Sequence, residues 1–100
     1  MTTPNWAENL ILDALIYLKA NYLPGIRWRH SKRKDSSGAC YPDHISIMAG
    51  RDRLDLKLVI LHELAHWALP TRIGHEGHTA RFWDLAWQLY RAFRLPIRYC

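Results

Sequence analysis

The chain has 100 residues, 49% of them hydrophobic, and 14 Lys/Arg against nine Asp/Glu give a formal net charge of +5. This composition suits one small domain with a packed core, residues 1–100, and excludes wholesale disorder. No apolar run approaches the ~20 residues that span a bilayer, and no positive region precedes an apolar stretch at the N-terminus, so neither a membrane anchor nor a signal peptide is expected.

The first element is a helix over "TTPNWAENLILDALIYLKANY", residues 2–22. Ala7, Leu10, Ile11, Ala14 and Leu18 recur at helical spacing, Thr3 stands where a cap belongs, Pro4 suits the first turn, and "YLPG" ends the run. Residues 26–50 change texture. Ile26 and Trp28 alternate with Arg27 and Arg29, Ile45 and Ile47 flank Ser46, and "KDSSG" at 34–38 has turn composition. They are read as a small antiparallel sheet of two to three strands, with a second bend at Tyr41-Pro42-Asp43. A second helix follows over "RDRLDLKLVILHELAHWAL", 51–69, with Asp52 as cap and Asp55 in the first turn, where the helix dipole favours a negative charge. Its apolar residues lie nearly all round it, the mark of a buried helix. "LPTRIGHEGH" is read as a loop. The third helix, 79–94, carries a stripe of Phe82, Leu85, Ala86, Leu89, Tyr90 and Phe93 and closes at Pro96. The expected fold is α+β: an N-terminal helix, a small sheet, then two packed helices.

The chemistry lies in "LHELAHW", residues 61–67. His62 and His66 stand four apart, so a helix projects both from one face toward a single metal ion. Glu63 lies about 100° round the helix from His62, placing a base beside the metal rather than a ligand on it. A hydrolytic zinc site takes three protein ligands and keeps one position open for water, whose pKa the metal lowers. Two histidines and a glutamate within an apolar helix are destabilising unless something satisfies them. The metzincin continuation fails, because Leu69 and Arg72 occupy the positions where a glycine and a histidine are needed. The third ligand is sought in "GHEGHTARFW". His78 ranks first, since imidazole suits zinc and the Phe82 stripe fixes how the third helix approaches the second; His75 and then Glu76 follow, both also readable as solvated loop residues.

The stretch "HELAHWALPTRIGHEGHTARFW", with HELxH, a loop and then His followed four residues later by Phe, resembles the signature of the SprT-like zinc metallopeptidase family. "GACYPDHISIMAG" is similar to the strand that leads into that family's active-site helix, so the resemblance covers about residues 38–90. It implies ligands His62, His66 and His78, a catalytic Glu63, and the same helix, sheet and helix-pair order. Many family members continue into a four-cysteine zinc ribbon, and this sequence shows none.

Other features are less specific. "RWRHSKRK" carries Arg27, Arg29, Lys32, Arg33 and Lys34. It reads either as a basic hairpin for the phosphates of DNA or, preferred here, as a solvated hairpin whose charges guard a sheet edge. Tyr41, His44 and Tyr90 are candidate oxyanion donors. Trp83 and Trp87 either line a substrate cleft or pack a second helix face, the latter preferred. Cys40 and Cys100 form no CxxC pair and suit free thiols in a reducing cytoplasm. The expected protein is therefore a monomeric cytoplasmic metallopeptidase with one Zn2+, a protein or peptide substrate, and Glu63 as general base. Its rival is a non-catalytic module that keeps zinc for structure and binds nucleic acid or protein through the basic hairpin.

Overall fold

The computed structural model describes residues 3–20, 23–29, 38–49, 52–72 and 74–95. His30, Lys32, Arg33, Lys34, most of the 34–38 turn, Gly50, Pro96 and Cys100 lie outside the described residues. The α+β order holds: helix α1 (Asn5–Tyr17), strands β1 (Gly25–Arg29), β2 (Gly38–Cys40) and β3 (His44–Met48), helix α2 (Arg53–Trp67), the short strands β4 (Pro70–Thr71) and β5 (Gly74–His75), and helix α3 (Ala80–Ala92). None of these helices is long and apolar enough to cross a membrane.

The helix ends are set by backbone devices that differ in part from expectation. Pro4, not Thr3, stands at the cap of α1, and its carbonyl accepts from Ala7 N and Glu8 N, both at 3.0 Å. Proline has no N–H to lose there. The helix stops well before the "YLPG" turn. Lys19 takes a left-handed φ of 54°, while Ala20 N–H donates to Leu15 O and Lys19 N–H to Ile16 O. That pair of bonds is the Schellman pattern, which satisfies orphan carbonyls of the last turn. Helix α3 ends the same way, with Arg94 at φ 59° and Leu95 N–H donating to Tyr90 O. Helix α2 starts as expected, Asp52 Oδ1 accepting from Asp55 N at 3.0 Å.

The three-stranded sheet has the order β1-β3-β2. β2 and β3 form the antiparallel hairpin expected across Tyr41-Pro42-Asp43, but β1 pairs parallel to β3, Ile26 opposite Ile45 and Trp28 opposite Ile47. The expectation of an antiparallel sheet is corrected for this strand. Alternation puts Trp28 on the buried face in either direction, so periodicity carries no information about strand polarity.

The core gathers on α2. Ile60, Leu61, Leu64 and Ala65 are at most 1% exposed and belong to one cluster with Ala7, Ala14 and Leu15 of α1, Ile45 and Ile47 of β3, and Phe82, Ala86 and Leu89 of α3. Trp28 meets Trp6 edge-on at 6.2 Å, and the Arg53 guanidinium lies 4.7 Å over the Trp6 ring, tying α1 to the start of α2. With its core face satisfied on three sides, α2 turns His62, Glu63 and His66 toward β2 and the chain entering α3. The segment read as a loop at 69–78 contains the β4–β5 hairpin, Pro70 opposite His75. Two-residue strands are too short to register as alternation.

Candidate metal centre

His62 and His66 project from one face of α2, as their spacing requires. His78 reaches them from the residue before the α3 cap. Thr79 caps that helix, its Oγ1 accepting from Phe82 N at 3.2 Å and donating to Glu76 Oε2 at 2.8 Å. The ligand atoms of His62, His66 and His78 all lie within 4.8 Å of one another, close enough to hold one metal ion. His62 Nε2 and His78 Nε2 are 3.1 Å apart. Phe82, fully buried, lies against the trio and stacks on His66 at 4.1 Å between centroids. The anchoring role expected of Phe82 is thus present.

The outer nitrogens of the two α2 histidines are engaged. His66 Nδ1 donates to the Glu76 carbonyl at 2.6 Å, and His62 Nδ1 lies 3.4 Å from Tyr90 Oη. The carbonyl can only accept, so it fixes the His66 tautomer that leaves Nε2 with its lone pair, the form a metal takes. Burial, and then the neighbouring His66 and His78, pull the His62 pKa down to about 4. Burial also lowers that of His66. Both shifts favour the neutral ring, the form that ligates a metal. Three converging imidazoles are a donor set that suits a divalent transition-metal ion.

Glu63 is 7% exposed, and burial raises its carboxyl pKa to about 7. A cavity of about 340 Å³ opens over these residues, bounded by Gly38, Ala39 and Cys40 of β2 on one side and 75–78 on the other. A second cavity, about 310 Å³, adjoins it through His62, Glu63 and Gly38 and is lined by Leu58 and Val59. Gly38 permits the close approach of β2 to α2: a Cβ there would sit 2.8 Å from Val59 Cγ1, 3.0 Å from Ser46 O and 3.3 Å from Glu63 Cγ. The Ser46 carbonyl belongs to the paired strand and cannot swing aside. Gly38→Ala should therefore cost about 1–3 kcal/mol, the usual scale of overpacking, read as a lowered midpoint in denaturant; an unchanged midpoint would show that β2 yields without cost.

The remaining sequence candidates separate clearly. His75 lines the cavity but is not one of the three grouped ligands. The Glu76 carboxylate turns to Thr79 and Arg81, which hold its pKa below the usual value; its backbone carbonyl, which no motif marks, is what serves His66. Tyr90 is buried at 3% exposure on the Nδ1 side of His62, so it sits behind that ring and lines neither cavity. Tyr41 and His44 stack on each other at 4.5 Å beside the β2–β3 turn and line neither cavity. Trp83, 40% exposed, stacks on His78 at 5.4 Å, against the expectation of second-face packing. Trp87 is half-buried against Tyr90 and follows that expectation. Arg27 and Arg29 are exposed on β1, at the opposite edge of the sheet from β2. The Cys40 thiol, pushed up to about 12 by burial and by Glu63, lies at the cavity wall. Sequence reasoning missed Gly38, Cys40 and the Glu76 carbonyl; of these only Gly38 carried a signal, a glycine opening a strand where another backbone comes close. Comparison with family models, curated proteins and solved structures finds no match for this chain.

Proposed function

We propose that this chain is a zinc metallopeptidase of the SprT-like kind, with His62, His66 and His78 holding the metal and Glu63 as general base. The observation that carries the reading is the combination of three converging imidazoles with a buried carboxylate beside them that is not one of the ligands. A site that keeps zinc only for structure is closed by four ligands and has no use for a base. Here the ligand group found among the described residues has three members, and a cavity lies over it.

Zinc bound there would supply Lewis acidity, lowering the pKa of water and polarising a carbonyl. The protein supplies the rest. Glu63 accepts a proton from the attacking water and passes it to the leaving nitrogen as the C–N bond breaks, so the base is regenerated within one turnover. Its burial raises its basicity into the range where proton transfer works near neutral pH. β2 is the edge of the three-stranded sheet and borders the cavity. An extended peptide laid along it by strand addition would carry its scissile bond over the histidines. Phe82, fully buried, packs against all three rings from the core side.

The test is a cleavage assay with unstructured protein substrates, run with one equivalent of zinc, with chelator, and with and without DNA. Zinc-dependent cleavage is expected, with one zinc per chain by elemental analysis and a loss of bound zinc in His78→Ala. Full zinc occupancy in His78→Ala would remove that ligand from the site. Zinc binding with no cleavage across the panel would transfer the preference to the non-catalytic, zinc-stabilised module that binds nucleic acid or protein through Arg27 and Arg29.

A further inference from the structure

The cavity over the three histidines contains a fourth imidazole that metal binding does not explain. His75 lines it with His62, Glu63 and His66, yet stands outside the group of three ligand residues. Its ring is held in place twice. It stacks on Trp67, centroids 4.8 Å apart and planes 27° from parallel, and Trp67 is a buried residue of α2 immediately after His66. Its backbone is fixed by pairing with Pro70, and the next residue, Glu76, donates its N–H to Leu69 O at 2.8 Å. A solvated loop histidine would have neither restraint.

The ring's two nitrogens are unequal. Nδ1 is buried and has no hydrogen-bond partner. A neutral imidazole must leave there either a bare N–H or a bare lone pair, and orphaned buried N–H groups are the rarer and costlier of the two. The proton therefore resides on Nε2, the nitrogen that is not closed off. His75, a residue that lines the cavity, thus carries its N–H donor on a ring held by the Trp67 stack. The other side chains at the cavity wall do not compete for this role: the Cys40 Sγ is directed to the Tyr41 carbonyl, and the Glu76 carboxylate is occupied by Thr79 and Arg81.

We propose that His75 is a catalytic residue whose Nε2–H hydrogen-bonds to the carbonyl oxygen of the peptide bond under attack. This rests on the hydrolytic reading above. As the water oxygen bonds to the carbonyl carbon, the C=O π pair moves onto the carbonyl oxygen, where the His75 N–H meets the growing charge. When the C–N bond breaks the pair returns, the nitrogen leaves with the proton carried by Glu63, and His75 keeps its own proton throughout. A fixed donor of this kind stabilises the transition state more than the ground state, so its loss appears in kcat.

The experiment compares zinc-loaded wild type with His75→Phe, which keeps an aromatic ring for Trp67 and removes both nitrogens, and with His75→Gln, which restores an N–H. Turnover, zinc affinity by chelator competition, and binding of a phosphinic peptide, whose tetrahedral oxygens imitate the attacked carbonyl, are measured for each. His75→Phe is expected to lose 10²–10³-fold in kcat, the scale for one oxyanion donor, with KM and zinc affinity unchanged. It should bind the phosphinic peptide at least ~10-fold more weakly, and His75→Gln should recover part of both losses. Where wild type cleaves, a parallel fall in zinc affinity would make His75 a ligand, and wild-type turnover in His75→Phe would leave it no catalytic part; either outcome overturns the proposal while the peptidase reading stands on the observed cleavage. If wild type cleaves nothing but binds the phosphinic peptide in a His75-dependent way, the peptidase reading falls and the donor assignment survives. Phosphinic binding that ignores His75 in an inactive wild type sinks both.

Discussion

Glu63→Gln is expected to leave the fold and the bound metal intact while cutting peptidase turnover by at least ~10²-fold, the scale of losing a general base. The substitution keeps the side chain's length and volume, and Glu63 is not one of the grouped ligands. It removes only the capacity to take a proton. The pH dependence carries the same information. Burial raises this carboxyl to about 7 in the metal-free pocket, and a cation bound beside it favours the carboxylate, moving the acid limb of kcat/KM below that value. Activity should thus rise with pH through this limb in wild type. Equal turnover in Glu63→Gln would eliminate the base. The metal-free protein gives a second readout. A folded-state pKa of about 7 against 4.5 for the free side chain means that the folded chain holds the extra proton. The penalty of ionising Glu63 is absent below pH 4.5, grows as pH rises toward 7 and is complete above it. Glu63→Gln should then stabilise the metal-free chain at pH 8 by on the order of 3 kcal/mol and do little at pH 4.

The parts of this fold that could be read from the sequence are those that repeat with a period. Helix α2 announced itself because Leu56, Ile60, Leu61, Leu64 and Ala65 must all face apolar neighbours, and its cap follows from the side-chain chemistry of Asp52. The pairing of His62 with His66 is a consequence of helical rise alone. His78 was reachable because Phe82, four residues on, sits on the stripe that α3 packs against α2. The polarity of β1 was not legible, since alternation looks the same in parallel and antiparallel strands. The ends of α1 and α3 were misplaced because left-handed caps usually advertise themselves with glycine, whereas Lys19 and Arg94 occupy them here. The partners behind the candidate ligands were hidden for a different reason. Tyr90 meets His62 across 28 residues and Glu76 meets His66 across ten, and the second of these uses a carbonyl, which every residue has. His75 read as a loop residue because what restrains it, a two-residue strand pair and the face of Trp67, exists only once the chain is folded.

Removing the metal should lower the melting temperature by roughly 10 °C or more without unfolding the chain at room temperature. Two ligands sit on α2 and the third precedes α3, with β4 and β5 between them, so a bound ion joins elements that are otherwise connected by packing. At free zinc a hundredfold above Kd, binding to the folded state alone contributes about 2.7 kcal/mol, and each kcal/mol moves the midpoint by about 4–8 °C in a chain of this size. The apolar contact remains after chelation, because Phe82, Ala86 and Leu89 pack against α2 independently of the ion; the metal-free protein therefore keeps its helices. What loosens is the segment from Leu69 to Thr79, whose hydrogen bonds to α2 run through the His66 ring and from the Leu69 N–H to the His66 carbonyl. Amide exchange should localise the change there and at the first turn of α3. Acid acts in the same direction. The folded chain holds His62 neutral down to about pH 4, against 6.5 for the free side chain, so its contribution to metal-free stability is lost progressively as pH falls from 6.5 toward 4 and is unaffected above 6.5. Glu63 works in the opposite sense over an overlapping range, so the measurement belongs in the Glu63→Gln background, where the His62 limb stands alone. A melting curve that does not move after verified zinc removal would show that the Phe82 stripe fixes α3 by itself, and that the three histidines converge without any help from the ion they would hold.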